Sequence, residues 1–326
     1  MPPQFTGNQI AFKADDWEVV MRLGFALPQI GKAAGPDAVA AVARRAEELG
    51  FDSLWVLDRL LYPEKPRAPY PVGDGTLPVQ YKTALDPLQT LAFAAAQTER
   101  IVVGSSVLNL PWYSPVMLAR SLASLDVLSR GRLRVGLGMG WSPDEYEAAG
   151  VSWSNRGKRA DELIRALKTI WTTNPVAFEG EYVRIPKSFI EPKPVQKPHP
   201  PIYMAAYAPS AMQRVAREAN GWFPVGVPIK VLPEMFKGIK GMVKDAGRNP
   251  DELDLIVRCN VELSESPVSG ERADFVGTLD QIESDIAATK EVGTAELVLD
   301  VQFSPGVETK EDYLTCMEQL WEAAKP

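Results

Sequence analysis

The sequence predicts a single (β/α)8 TIM barrel, and three observations predict it. From Met21 onward, short and almost wholly apolar runs alternate with segments of helical periodicity. The apolar runs lack the every-other-residue polarity of half-exposed strands, as expected when both faces are buried. Alternation of this kind implies a parallel sheet with right-handed crossovers. Eight strand–helix pairs can be drawn, which favours closure into a barrel; an open doubly wound sheet is the alternative. The chain has 326 residues, 45% of them hydrophobic, enough for a large core.

The elements follow in order. RLGFAL (22–27) reads as a first buried strand, and the segment 36–49, with Pro36 near its start and Gly50 after its end, carries helix start and stop signals. DSLWVL (52–57) is the second strand. A Pro- and Gly-rich insertion at 60–83 follows it, with Tyr62, Tyr70 and Tyr81. Helix 85–98, strand 101–108, helix 115–128 and strand 132–137 continue the alternation. Two helical segments, 143–149 and 156–171, come next. Residues 176–185 (VAFEGEYVRI) read as a hairpin with Glu-Gly at its turn, so insertions are expected after strands two and four. Strand 202–207, helix 210–219, strand 221–225, helix 231–246, strand 253–263, helix 279–292, strand 296–301 and helix 310–324 complete the barrel. Residues 1–20 show no clear periodicity and are expected to form an arm or extension before a barrel at 21–326.

Composition excludes several functions. A net charge of −7 argues against a general nucleic-acid binder. No apolar run approaches the roughly 18 residues of a membrane span, and no signal peptide opens the chain. Cys259 and Cys316 are too few for a disulfide framework or a zinc site, so a reducing cytoplasm is the expected compartment. The single histidine, His199, lies in the Pro-rich run KPVQKPHPPIY, which removes histidine-based metal sites and Ser/His/Asp nucleophilic hydrolysis. A bound cofactor would have to supply the chemistry.

In a barrel, ligands bind at the C-terminal ends of the strands. Those ends carry Asp58-Arg59, Ser105 to Asn109, Gly138 to Trp141, Ala206-Tyr207, Trp222-Phe223, Arg258 with Asn260, and Asp300. Gly136, Gly138 and Gly140 alternate along strand four, so their missing side chains share one face. That face can let backbone approach a planar ring, or it can relieve crowding inside the barrel. Tyr207, Ala208, Pro209 and Ser210 precede a helix. They form either a phosphate site at its free amides or an ordinary N-cap by Ser210. Arg156, Lys158 and Arg159 open the helix after strand four, as an anion contact or as a solvated face.

The stretch GSSVLNLPWYSPVMLARSLASLDVLSRGRLRVGLGMGWSPDEYEAAGV resembles the signature of the bacterial luciferase-like flavin superfamily. FDSLWVLD, NRGKRADEL and PIYMAAYAPSAMQRVAREANGW support it. SLWVLDRLLYP and NLPWYSPV are most similar to the actinobacterial branch that uses the deazaflavin coenzyme F420. The resemblance implies an oxidoreductase that transfers hydride between F420 and an organic substrate. The alternative is a two-component monooxygenase that uses FMN reduced by a separate reductase. A third possibility is a non-catalytic flavin-binding barrel. The resemblance also implies a cis peptide between Ser106 and Val107 against the ring, Asn109 at the ring edge, Asp58 as the acidic position, and Gly138 and Gly140 bordering the ring. Ala206, Tyr207 and Ala208 would match a phosphate-binding turn, with Arg156 as helper. Tyr70, Trp112, Trp141 and Trp222 would wall a substrate pocket. Lys158, Arg159, Lys187, Lys193 and Lys197 are candidates for a basic groove. A homodimer, and no membrane or nucleic-acid partner, would complete the picture. Many relatives carry His where Arg59 stands, sugar-phosphate dehydrogenating ones carry Glu at Trp141, and luciferases carry Arg at Met139. The usual proton donor is therefore absent, leaving Tyr70, Tyr81, Tyr207 or water.

Overall fold

A closed ring of eight parallel strands forms the centre of the computed structural model, which describes residues 21–325. The arm expected at 1–20 lies outside the described residues. The strands are β1 (Arg22–Ala26), β2 (Ser53–Val56), β3 (Val102–Ser105), β4 (Leu133–Gly138), β5 (Ile202–Met204), β6 (Gly221–Trp222), β7 (Asp254–Asn260) and β8 (Glu296–Asp300). They run β3-β2-β1-β8-β7-β6-β5-β4, and pairing of Val103 and Gly104 with Leu133 and Arg134 closes the ring. Helices α1 (Pro36–Leu49), α2 (Pro87–Gln97), α3 (Pro115–Leu128), α4 (Pro143–Ala148), α5 (Arg156–Thr172), α6 (Pro209–Glu218), α7 (Leu232–Asp245), α8 (Leu279–Glu291) and α9 (Lys310–Ala324) surround it.

Local chemistry sets the helix ends. Asp86 accepts from the Gln89 amide at 2.9 Å to start α2. Capping boxes at Thr278/Gln281 and Thr309/Asp312 start α8 and α9. Gly50, at φ 105°, ends α1 in the left-handed conformation. The hairpin of Val176–Glu179 and Arg184–Ser188 follows α5. Glu162 on α5 accepts the amides of Glu181, Tyr182 and Val183 at 2.9, 2.8 and 2.6 Å. The carboxylate fills the space beside the turn: a Cβ on Gly180 would lie 2.2 Å from it.

The barrel lumen is built around Trp55. This ring is fully buried with Tyr203, Phe223, Ile256 and Val298. It fits because β1 and β3 have no side chain beside it. A Cβ on Gly24 would stand 2.7 Å from the indole nitrogen, and one on Gly104 2.4 Å from the ring. The indole N–H donates to Ser53 Oγ at 2.7 Å and to Glu296 at 3.0 Å. Glu296 is fully buried and pairs with Arg22 and Arg134, so an ionic layer seals the N-terminal end. At this end of such barrels, polar networks serve stability.

Several expected strands are shorter than the apolar pattern suggests: 202–207 and 221–225 are strand only over Ile202–Met204 and Gly221–Trp222. The run 101–108 leaves the ladder after Ser105 and rejoins β4 only at Leu108 and Asn109. The Ser105 hydroxyl takes over here: it donates to the Gly136 carbonyl at 2.9 Å and accepts the Gly136 amide at 3.0 Å. The run 253–263 ends as a barrel strand at Asn260, and Glu262–Leu263 pairs instead with Val276–Gly277.

Glycine packing in the lumen yields a paired prediction. Gly104→Ala should lower stability by about 1–3 kcal/mol through overpacking. Gly241→Ala, in α7 with nothing within 4 Å, should be neutral or stabilising. Thermal unfolding of the two variants beside the parent checks both signs.

Candidate functional site at the barrel mouth

The strand ends converge on the peptide joining Ser106 to Val107, which is cis. The Val107 side chain rests on the Trp55 cluster and stays partly exposed above it. It occupies the room left by strand four: a Cβ on Gly138 would lie 2.4 Å from Val107 Cγ2, and one on Gly136 only 1.9 Å from the Ser105 carbonyl oxygen. These two glycines therefore accommodate the turn of the neighbouring strand. They do not themselves offer bare backbone to a ligand, which revises one of the two readings of that pattern. Gly140, at φ 66°, faces Asn109 and Trp112.

Across the lumen stands Arg258, buried at 8% exposure. Its Nη1 donates to the Ser106 carbonyl at 3.0 Å, and its Nε to Asp300 at 3.1 Å. Asp300 also accepts the Gln302 amide at 2.9 Å. Gln302 accepts from the Gln29 amide at 3.3 Å, and the Gln29 side chain donates to the Leu57 and Leu85 carbonyls, both at 2.7 Å. A buried charge with one ionic partner and a hydrogen bond from each of its three nitrogens is a rigid element.

Asp58 occupies the other edge of the mouth. Its carboxylate accepts the Asn109 amide at 2.8 Å and the Tyr113 hydroxyl at 3.1 Å, and the Asn109 side chain returns to the Asp58 carbonyl at 3.0 Å. Burial pushes Asp58 up to about 6, against the pull of these two donors. Sequence reasoning does not single out Tyr113; it lies in NLPWYSPV beside Trp112, and only the fold shows which ring points inward.

Arg59 turns into a cage of rings. Its guanidinium carbon lies 4.9 Å from the Tyr81 ring centre and 5.0 Å from that of Trp141. Nη2 pairs with Glu145 of α4, whose other oxygen accepts the Leu60 amide at 2.9 Å. Burial pushes Glu145 up to about 7, with Arg59 drawing it down. Tyr70 packs edge-on against Trp141 at 5.5 Å and shares a 3.1 Å hydrogen bond with Tyr81. The insertion is pinned from outside as well: Arg67 donates to Asp144 at 2.7 Å and pairs with Glu147 at 2.7 Å. Sequence reasoning misses Glu145 because a carboxylate in a short charged helix carries no mark of burial.

Other candidates fall elsewhere. Trp222 is fully buried, stacks on Phe236 of α7 at 6.5 Å and donates to the Ala206 carbonyl at 2.8 Å. It belongs to the layer between strands and helices, so it is no pocket wall: the strand alternation at 221–223 turns Phe223, not Trp222, into the lumen. The Tyr207 hydroxyl bridges Val225, donating to its carbonyl at 3.1 Å and accepting its amide at 3.0 Å, which commits it to tying the end of β5 to the end of β6. Ala208, not Ser210, is the N-cap of α6, and no side chain caps it. Tyr207 and Ala208 are exposed beside that helix start. Arg156 lies over the Trp153 ring at 4.0 Å at the start of α5. Trp112 sits between Gly140 and Tyr146, and its indole nitrogen is buried without a partner.

A cleft of about 350 Å³ lies at the opposite end of the barrel, lined by Lys168, Lys197, His199, Arg217 and Arg248 among others. Three of its cations are committed. Lys168 donates to the Glu218 carbonyl, Arg248 to the Ala216 and Ala219 carbonyls, and Lys197 to the Pro194 carbonyl. Lys193 likewise closes the end of α5 on Ile170 and Thr173. These residues hold helix ends and loops together and lie far from the mouth. Among the described residues no group of three or more His, Cys, Asp or Glu could hold a metal, and no helix is long and apolar enough to cross a membrane.

The Asp58 geometry predicts a pH signature. The folded chain keeps the Asp58 proton up to about 6, whereas the unfolded chain loses it near 3.8. Stability contributed by this group therefore falls as pH rises through that window. Comparing thermal unfolding of the parent and Asp58→Asn from pH 4 to 7 should show a steeper slope in the parent, the slope left in the variant coming from Glu145. Tyr113→Phe, which removes a donor to the carboxylate, should move the midpoint upward.

Comparison with known proteins places the chain in a family. The profile of the luciferase-like monooxygenases matches residues 20–293. An F420-dependent glucose-6-phosphate dehydrogenase of Nakamurella multipartita is 31% identical over 233 residues, 70% of this chain and 64% of the relative. An FMNH2-dependent dimethylsulfone monooxygenase of Pseudomonas putida is 35% identical over 153 residues, 46% of this chain and 40% of the relative. The crystal structure of monooxygenase RslO1 from Streptomyces bottropensis superposes with a TM-score of 0.77 at 25% identity, covering 93% of this chain and 98% of that one. The barrel and the profile match agree: the chain belongs to the luciferase-like monooxygenase family.

Proposed function

We propose that the protein is an F420-dependent oxidoreductase that transfers hydride between the deazaflavin and an organic substrate at the barrel mouth. The observation that carries this reading is the F420-dependent relative, which aligns over 70% of this chain, against 46% for the FMN-dependent one. The mouth fits a flat ring. Val107 offers an apolar, partly exposed seat on a closed core, and Asp58 with Asn109 supplies polar groups at one edge.

In this reading Ser106, Val107, Asn109 and Asp58 hold the ring, and Gly140 borders it. The exposed start of α6 at Tyr207 and Ala208, with Ala206 behind it, takes the phosphate, and Arg156 assists. When bound, the deazaflavin supplies two-electron hydride chemistry. The chain's own part is to position, to exclude water and to fix charge. Arg258 and Asp300 keep the seat in place from across the lumen. Tyr70, Trp141 and Trp112 form the substrate side. Tyr81 is a poor proton donor because burial holds its hydroxyl well above the usual tyrosine range, and Tyr207 is committed to Val225. Water, or Tyr70 through its bond to Tyr81, is left as the proton source. A homodimer and a separate enzyme that regenerates reduced cofactor belong to the same proposal.

A second reading, an FMN-dependent two-component monooxygenase, is favoured by the resemblance to the dimethylsulfone enzyme and to RslO1. Fluorescence or calorimetric titration of the purified chain with each cofactor separates the two. Binding of F420 is expected. Tight FMN binding with no F420 binding would overturn the first reading in favour of the second.

A further inference from the structure

We propose that Arg59 is a substrate-binding residue whose unpaired Nε–H takes the carbonyl oxygen of an uncharged molecule with an apolar, ring-like body. The inference rests on the mouth being the substrate site. Both faces of the guanidinium are covered, by Tyr81 at 4.9 Å and Trp141 at 5.0 Å. One corner, Nη2, is used by Glu145. Beside that corner the Nε–H is unused: Nε is buried with no hydrogen-bond partner. The side chain is only 6% exposed, so this is a closed, oriented donor and not a solvated one.

An unpaired buried donor is costly, and an acceptor that reaches it recovers that cost. The Nε–H is a single in-plane donor, suited to one oxygen acceptor. Charge decides between a carbonyl and a carboxylate. Glu145 already neutralises Arg59, and Asp58 is the preceding residue, so a second anion would sit beside two carboxylates. A neutral carbonyl accepts the same hydrogen bond without that repulsion. The surroundings select the body of the molecule: Tyr70, Tyr81, Trp141, Leu77 and Phe303 form one apolar cluster around the same edge of the mouth. Nε is closed to water, so the ligand displaces a ring of the 60–83 insertion as it enters.

Calorimetry on the full chain without cofactor tests this with three probes: 1-tetralone, tetralin and 1-naphthoate. Binding does not require F420 or FMN, so failure here is distinct from failure of the cofactor titration. 1-Tetralone is expected to bind about tenfold or more tightly than tetralin, and more tightly than 1-naphthoate. Arg59→Met should abolish the preference for the ketone and leave tetralin binding unchanged. Because Arg59→Met leaves Glu145 buried and unpaired, Arg59→Met/Glu145→Gln is the folded control and should give the same loss. No binding of 1-tetralone, equal binding of ketone and hydrocarbon, or a preference that survives in the double variant would overturn the proposal. Tighter binding of 1-naphthoate would overturn the neutral-carbonyl assignment.

Discussion

One buried charge organises the mouth. Arg258 stands on β7, and Ser106 follows β3. In the ring order β3-β2-β1-β8-β7-β6-β5-β4 these two strands lie opposite each other. The 3.0 Å hydrogen bond between them therefore spans the lumen. A guanidinium there needs a partner, since removing one member of a buried ion pair costs about 3–5 kcal/mol. Asp300 on β8 is that partner, and Gln302 and Gln29 extend the network to the end of β1 and to the loop after β2. The polar cap that results fixes the backbone on which Val107 sits.

Below the cap, shape does the equivalent work. Trp55 fills the lumen only because residues 24 and 104 are glycine, and Val107 descends between β3 and β4 only because residues 136 and 138 are glycine. Large and absent side chains thus alternate around the barrel, which is how a closed sheet reaches interior packing density without voids. The lower ionic layer at Glu296 and the upper one at Asp300 belong to the same strand, β8, and bracket the apolar layer between them. Stability is concentrated at one end of the barrel and site geometry at the other.

Much of this is legible in the sequence. The eight alternations specify the barrel; α1 begins and ends where its start and stop signals mark it, and α3 and α9 span the predicted residues. Asp58, Asn109 and Trp141 reach the mouth because strand ends in a barrel converge there, and Tyr70 of the insertion packs on Trp141. The rest is hidden for physical reasons. Apolar periodicity cannot show that the Ser105 hydroxyl replaces a backbone ladder, so it runs straight through the break before Leu108. It cannot tell which of two adjacent aromatics at 222 and 223 faces the lumen when the strand is only two residues long. It also gives a carboxylate such as Glu145 no mark of burial, because its partner Arg59 is 86 residues away in the chain.

The proposed cofactor reading stands or falls on the platform formed by Val107 under the Arg258–Asp300 cap as the seat of a flat redox ring. A crystal structure of the chain with saturating oxidised F420 probes that platform without an intermediary. The deazaflavin ring is expected over Val107, with Asp58 and Asn109 at its edge and its phosphate by the start of α6. A ring bound away from Val107, or a mouth without ligand density at a concentration that saturates the chain in solution, would contradict it.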